Sequence, residues 1–289
     1  MHLARPVLVA WLGVLPLAAA DLFRDDFSRF PPGWLTFPVG TLNGAIQEYH
    51  YLPNRGVPLG PWENAISHLD AWVAGDERGT PYLEQQLDPT ARQFTNPIFL
   101  TGDPEWDDYT VEVKVKPLTL AGVAGLVFRY HTNRHYYLCG LEDGKKVRLA
   151  LHLPIEPQLR VAGWKELGSA DFRYDTERYY ALKAEIAGPR IKVSVDDKVV
   201  LEASDAELPK GKAGITAGDP ARFADFRVSA SDRGAQEIAR RIRLREDTLA
   251  RLRETIRSRN CGRSLRRQAL APGGTCVSAI WMATACRTC

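Results

Sequence analysis

YTVEVKV, residues Tyr109 to Val115, alternates at period 2: Tyr109, Val111, Val113 and Val115 share one face, and Thr110, Glu112 and Lys114 share the other. Successive side chains of a strand point to opposite sides, so one face of this strand is buried and the other is wet or lines a groove. Working outward, the pattern returns in GVAGLVFRY (Gly122 to Tyr130), HYYLCGLE (His135 to Glu142) and KVRLALH (Lys146 to His152). It returns again in YALKAEI (Tyr180 to Ile186), RIKVSV (Arg190 to Val195) and KVVLEA (Lys198 to Ala203). Turn residues fall where hairpins need them, at Glu142-Asp143-Gly144-Lys145, Ala187-Gly188-Pro189 and Asp196-Asp197. Seven such runs between Tyr109 and Ala203 predict an all-β fold of two stacked sheets, a β-sandwich.

Ahead of this body, MHLARPVLVAWLGVLPLAAAD places His2 and Arg5 before an apolar run from Val7 to Leu17, followed by Ala18-Ala19-Ala20. That is the pattern of a signal peptide over 1–20, cut before Asp21, and the product is expected to be exported to the periplasm or outside the cell. The apolar run is too short for a membrane anchor, and no other stretch approaches the roughly 20 apolar residues a spanning helix needs. The expected sandwich, 21–232, holds one cysteine, Cys139, so its stability comes from a packed core and not from disulfides. Residues 233–289 carry 13 Arg or Lys against 4 Asp or Glu, a surplus of 9 that leaves the first 232 residues at −6 out of a total of +3. A body of that charge lacks the basic face that neutralises phosphates, which argues against nucleic-acid binding.

Beyond the sandwich, QEIARRIRLREDTLARLRETI predicts a basic amphipathic linker helix over 233–256, with Ile238, Ile242, Leu249 and Leu252 near one stripe. Residues 257–289 change character again: Cys261, Cys276, Cys286 and Cys289 lie there, with many arginines and no Asp or Glu. This is the composition of a GC-rich gene read out of frame, and the segment is expected to be an irregular, disordered tail. Trp281-Met282-Ala283 must be TGG ATG GCN, and a start one base earlier forces Leu or Met, then Asp-Gly. Extended back to Ile256, that neighbouring frame permits a stop-free peptide ending in D-L-D-G-D-G-V-P-D, a spacing of carboxylates and glycines that wraps calcium.

The order of pieces resembles the concanavalin A-like jelly-roll superfamily, in its laminin-G-like and 3-keto-disaccharide hydrolase-like branch. The resembling pieces are LFRDDFS (Leu22 to Ser28) with Pro31-Pro32-Gly33-Trp34, then WDDYTVEVKVKP, the central strands, and a closing KGKAGITAGDPARFADFRVSA (Lys210 to Ala230). The resemblance implies that first and last strands pair, with Asp26-Phe27 near Asp225-Phe226. A structural calcium on Asp26 and Asp225 would suit it, and no other cofactor is required. The shifted tail is similar to the start of the calcium-rich propeller of bacterial rhamnogalacturonan lyases, which implies that this chain is the amino-terminal domain of such a lyase, truncated by a frameshift. None of that family's catalytic residues has a counterpart in residues 1–256.

Chemistry is sparse. The E-x-D-x-x-E carboxylates of concanavalin-like glucanases, a serine nucleophile elbow and an H-E-x-x-H metal pair are all missing. Glu105-Trp106-Asp107-Asp108 reads as a turn and edge cap, and Cys139 as an inert buried thiol. Aromatic and planar polar residues are dense, however, at Gln47 to Tyr51, around Trp62 and from His68 to Trp72, and again from Arg129 to His131 and from His135 to Tyr137. Rings stack on the apolar face of a pyranose, and Asp, His and Arg hydrogen-bond its hydroxyls or pair with a uronate. Candidate sugar-binding residues are therefore Trp62, Arg129, His131 and Tyr137, with His68 and Asp70 alternating on one strand; no catalytic residue is assigned. Tyr109, Phe128, Tyr180 and Phe226 are expected in the core. The expected function is a monomeric, exported, carbohydrate-binding accessory module for plant cell-wall polysaccharide, pectin-like in type. The alternatives are an independent glycoside hydrolase and a purely structural domain.

Overall fold

In the computed structural model, residues 19–37, 57–65, 71–87, 96–154 and 162–269 are described. In chain order the strands are β1 (Ala19–Asp25), β2 (Gly33–Trp34), β3 (Val57–Leu59), β4 (Trp62–Asn64), β5 (Trp72–Glu77) and β6 (Thr80–Gln85). Then come β7 (Ile98–Thr101), β8 (Thr110–Pro117), β9 (Val123–Thr132), β10 (His135–Glu142), β11 (Lys146–Pro154) and β12 (Ala162–Asp171). The last are β13 (Tyr180–Ala187), β14 (Arg190–Val195), β15 (Lys198–Ser204), β16 (Lys212–Ala217) and β17 (Ala221–Ser231), before helix α1 (Asp232–Ala269). All seven runs expected from alternation are strands; β12 is one that alternation did not show.

One sheet runs β15-β14-β13-β8-β17-β6-β5-β2 with β1 also on β17; the other runs β12-β11-β10-β9-β16-β7-β4-β3. The pairings are antiparallel, so the chain forms a two-layer antiparallel sandwich of the jelly-roll type. First and last strands do pair: Ala19 lies opposite Ser231 and Asp25 opposite Phe226. One edge of β17 is thus shared, by β6 over Ala221–Phe223 and by β1 over Phe226–Ser231. The expected hairpin turns have mirror-type geometry, with positive φ at Asp143 (55°) and Gly144 (70°) and at Asp196 (50°) and Asp197 (61°). That twist matches the flanking strands.

The core between the sheets is aromatic at one end. Trp62 of β4 stacks on Phe99 of β7 (4.9 Å, 6°) and meets Phe226 of β17 edge-on at 5.0 Å, while Trp72 of β5 lies 5.5 Å from Phe99. Tyr109, Phe128, Tyr180 and Phe226 are buried there or along the same interior. Phe99 therefore looks inward, and its neighbours Ile98 and Leu100 look outward. They join Ala65, Val127, Tyr130, Tyr136 and Leu138 in a second buried apolar cluster on the outer side of the same sheet. β9 and β10 are consequently buried on both faces, and this places the functional question on that outer side.

By contact the chain divides into two units, Met1–Ile238 and Ala239–Cys289. In the first, Ser231 Oγ caps α1 by accepting from the Gly234 N–H at 3.1 Å, and Ile238 is buried. In the second, Leu244, Leu249, Leu252 and Ile256 are exposed. The helix continues past Ile256 to Ala269, so the expected change of character there is not marked by a helix end. Residues 270–289, with three of the tail cysteines, lie outside the described residues, as do 1–18 of the expected signal peptide.

Candidate ligand-binding face

Residues of one parity on the second sheet line up across strands. Tyr136 of β10 is opposite His152 of β11, which is opposite Trp164 of β12. Tyr130 of β9 stacks on Tyr136 at 5.8 Å, Tyr136 on His152 at 4.9 Å, and His152 and Trp164 are 4.4 Å apart. Four rings thus cross four neighbouring strands on the outer face. Tyr130, Tyr136 and His152 are buried, but Trp164 is 41% exposed. Cross-strand aromatic pairs of this kind hold one another in place, so Trp164 is a fixed ring and not a loose one.

Charged residues of the same parity border the ladder. Arg148 lies over the Trp164 ring at 5.1 Å. Its Nη1 is 3.2 Å from Glu142 Oε1 and its Nε 3.5 Å from Glu166 Oε2, while Lys146 Nζ is 2.9 Å from Glu142 Oε2. On the other side of the apolar cluster, Lys212 Nζ meets Glu63 Oε1 at 2.7 Å. Burial pushes the His152 imidazole down to about 4, the charges of Arg134 and His135 adding to it and a hydrogen bond to the Arg134 main chain opposing it. His152 is therefore neutral at physiological pH. Burial likewise holds the Tyr136 phenol above its ordinary range.

Of the residues expected to bind sugar, three are used inside the fold. Trp62 is 1% exposed, and its Nε1 donates to Asp25 Oδ2 at 2.8 Å. Arg129, also 1% exposed, has positive φ (45°) and points its guanidinium at main chain: Nε and Nη2 donate to Asp107 O at 3.3 and 3.2 Å, Nη1 to Leu208 O at 3.0 Å. Tyr137 stacks on Phe128; its hydroxyl donates to Asp205 Oδ1 at 2.5 Å and accepts from the Leu208 N–H at 3.2 Å. Lys165 completes that clamp, 2.6 Å from Asp205 Oδ2. These corrections share one cause, since each polar group has an internal partner that a ligand would have to displace.

His131 is exposed, with Nε2 2.7 Å from Lys210 O and its ring 5.9 Å from that of His135; it sits at the rim and outside the ladder. Burial lowers the pKa of His135, against the pull of Glu207. His68 and Asp70 lie outside the described residues. Asp26 accepts from the Ser28 N–H and hydroxyl, and Asp225 holds Lys114 Nζ at 2.5 Å. A carboxylate already carrying an ammonium does not suit a calcium donor set, and among the described residues no group of three or more His, Cys, Asp or Glu could hold an ion. Burial pushes the Cys139 thiol up to about 12, too high for a neutral-pH nucleophile.

No family model matches the chain, and no characterised protein matches it by sequence. Among solved structures it is similar to the carbohydrate binding module CBM66 from Bacillus subtilis, at 19% identity over 59% of this chain and 96% of that one, TM-score 0.46. It is also similar to a glycoside hydrolase family 16 endo-glucanase from Bacteroides ovatus, at 11% identity over 72% and 99% with TM-score 0.45. A third, LamA from Z. galactanivorans in complex with laminaritriose and laminaritetraose, gives 12% over 73% and 98% with TM-score 0.44. Likeness at this level carries nothing about activity, so function has to come from the face itself.

Proposed function

We propose that this chain is an exported module that holds a polysaccharide on the outer face of its second sheet. The observation that carries this is the in-register ladder Tyr136, His152 and Trp164, ending in a tryptophan with an open ring beside Arg148 and Glu166. Such a ring offers its apolar surface to the C–H face of a pyranose, and the bordering groups hydrogen-bond hydroxyls. Export is supported by the leader-like amino terminus, and attachment to a pectin-degrading lyase by the shifted reading frame alone. Cleavage by this domain finds less support. A glycosidase needs a carboxyl free to protonate the leaving oxygen, and Glu142 and Glu166 are both engaged by Arg148.

Affinity electrophoresis in gels cast with β-glucan, arabinan, galactan or polygalacturonate tests the proposal. Retardation by at least one polymer is expected, and Trp164→Ala should weaken it about tenfold or more, the loss of roughly 1.4 kcal/mol. Unchanged retardation in a folded Trp164→Ala variant would remove this face from the function. Release of reducing ends by the wild-type chain would favour the hydrolase instead.

A further inference from the structure

We infer that the ligand of this face is a neutral glycan and that Nδ1 of His152 accepts a hydrogen bond from one of its hydroxyls. The inference rests on the sugar-binding proposal above and narrows it. Its first support is charge. Among the described residues that border the ladder, Lys146, Arg148 and Lys212 are each paired with a carboxylate, Glu142, Glu166 or Glu63, and Arg134 lies at the His152 end. A uronate seeking Arg148 would add a third carboxylate to a guanidinium already shared by two: displacing Glu142 leaves it to Lys146 alone, and displacing Glu166 takes away its Arg148 contact. Among plant polymers this favours neutral chains over a polyuronate backbone.

The second support is an unmatched atom. His152 is 3% exposed, and its Nδ1 is buried with no hydrogen-bond partner among the described residues. A neutral imidazole has one N–H donor and one bare acceptor. The bond to the Arg134 main chain therefore falls to Nε2–H, and Nδ1 is left as an acceptor that needs an O–H or N–H. A sugar hydroxyl supplies that proton; uronate units carry hydroxyls too, so this atom calls for a hydroxyl at the site, and the paired charges for a neutral sugar bearing it. Trp164 is the open ring beside this imidazole, 4.4 Å away, so a sugar stacked on Trp164 presents its hydroxyls next to His152.

The test is ¹⁵N NMR of the histidine rings in the full chain, titrated with neutral and with uronate oligosaccharides of equal length. Neutral sugar should move the His152 Nδ1 resonance in the direction of an accepted hydrogen bond and should bind about ten times more tightly than uronate. His152→Phe, which keeps a flat ring, should lower neutral-sugar affinity about tenfold, while His152→Asn, which restores an acceptor near the Nδ1 position, should recover most of it. If Trp164 responds to sugar while Nδ1 does not move, a trapped water satisfies the imidazole; the inference falls and the binding face stands. Tighter binding of uronate would overturn the inference in the same way. If no sugar of either class perturbs Trp164, the binding face falls and the inference with it.

Discussion

Tyr137→Phe separates a structural clamp from a ligand contact. The variant keeps the ring stacked on Phe128 at 5.4 Å and removes one oxygen. That oxygen donates to Asp205, whose side chain is 4% exposed, and accepts from the buried Leu208 N–H. Losing a hydrogen bond to a buried carboxylate and stranding an N–H costs about 3 kcal/mol together, allowing for the remaining contacts of Asp205 with Lys165 and the Glu207 N–H. For a domain of this size that lowers Tm by roughly 6 to 12 °C. Burial works against the charge of Asp205, but hydrogen bonds from Lys165, Tyr137 and Glu207 outweigh it and hold the carboxyl below its usual range. A depressed folded value means this contribution is complete above the unfolded value near ~4 and is lost as pH falls through the folded one. Urea denaturation at pH 7 and at acid pH should therefore show the gap between wild type and Tyr137→Phe closing in acid, with glycan affinity unchanged. A stability change under ~0.5 kcal/mol at pH 7 would refute the clamp.

Two further outcomes follow from the interior. Arg129→Met removes the guanidinium from the buried Leu208 carbonyl, the partly buried Asp107 carbonyl and the Asp108 carboxylate and should cost about 3 kcal/mol in chemical denaturation, with no loss of polysaccharide retardation. Cys139, fully buried, should resist alkylation by iodoacetamide at pH 8 until urea unfolds the sandwich; reaction at the rate of a free thiol in the native protein would contradict its placement.

Period-2 alternation was enough to locate the central strands and their mirror-type turns, because those signals are local. It failed on the proposed ligand face for a physical reason. β9 and β10 are apolar on both sides, so HYYLCGLE gives no sign of which tyrosine looks outward; Tyr137 faces the interior and Tyr136 joins the ladder. The neighbouring KVRLALH did hold the missing sign. Three of its four even members, Lys146, Arg148 and His152, are polar, with Ala150 the exception, where Val147, Leu149 and Leu151 are apolar, and antiparallel pairing carries that parity across to Tyr136. Arg129 misled because the irregular pairing between β9 and its neighbours lets its positive φ send a charged side chain to main-chain carbonyls. Trp164 went unseen since AGWKELGSAD alternates too weakly to announce a strand.

The pairing of β1 with β17 sets how the sandwich answers force. In the exported chain, expected to begin at Asp21, Asp21 and Ser229 sit opposite each other at one end of that antiparallel ladder, and Asp25 and Phe226 at the other. Tension applied between Asp21 and Ser229 pulls along the hydrogen bonds, which in an antiparallel pair lie across the strands. The bonds then open one rung after another and never share the load. A tethered molecule under drag would shed β1 by peeling, until the front meets Asp25, fastened to Trp62 and Arg29, while β17 stays seated against β8.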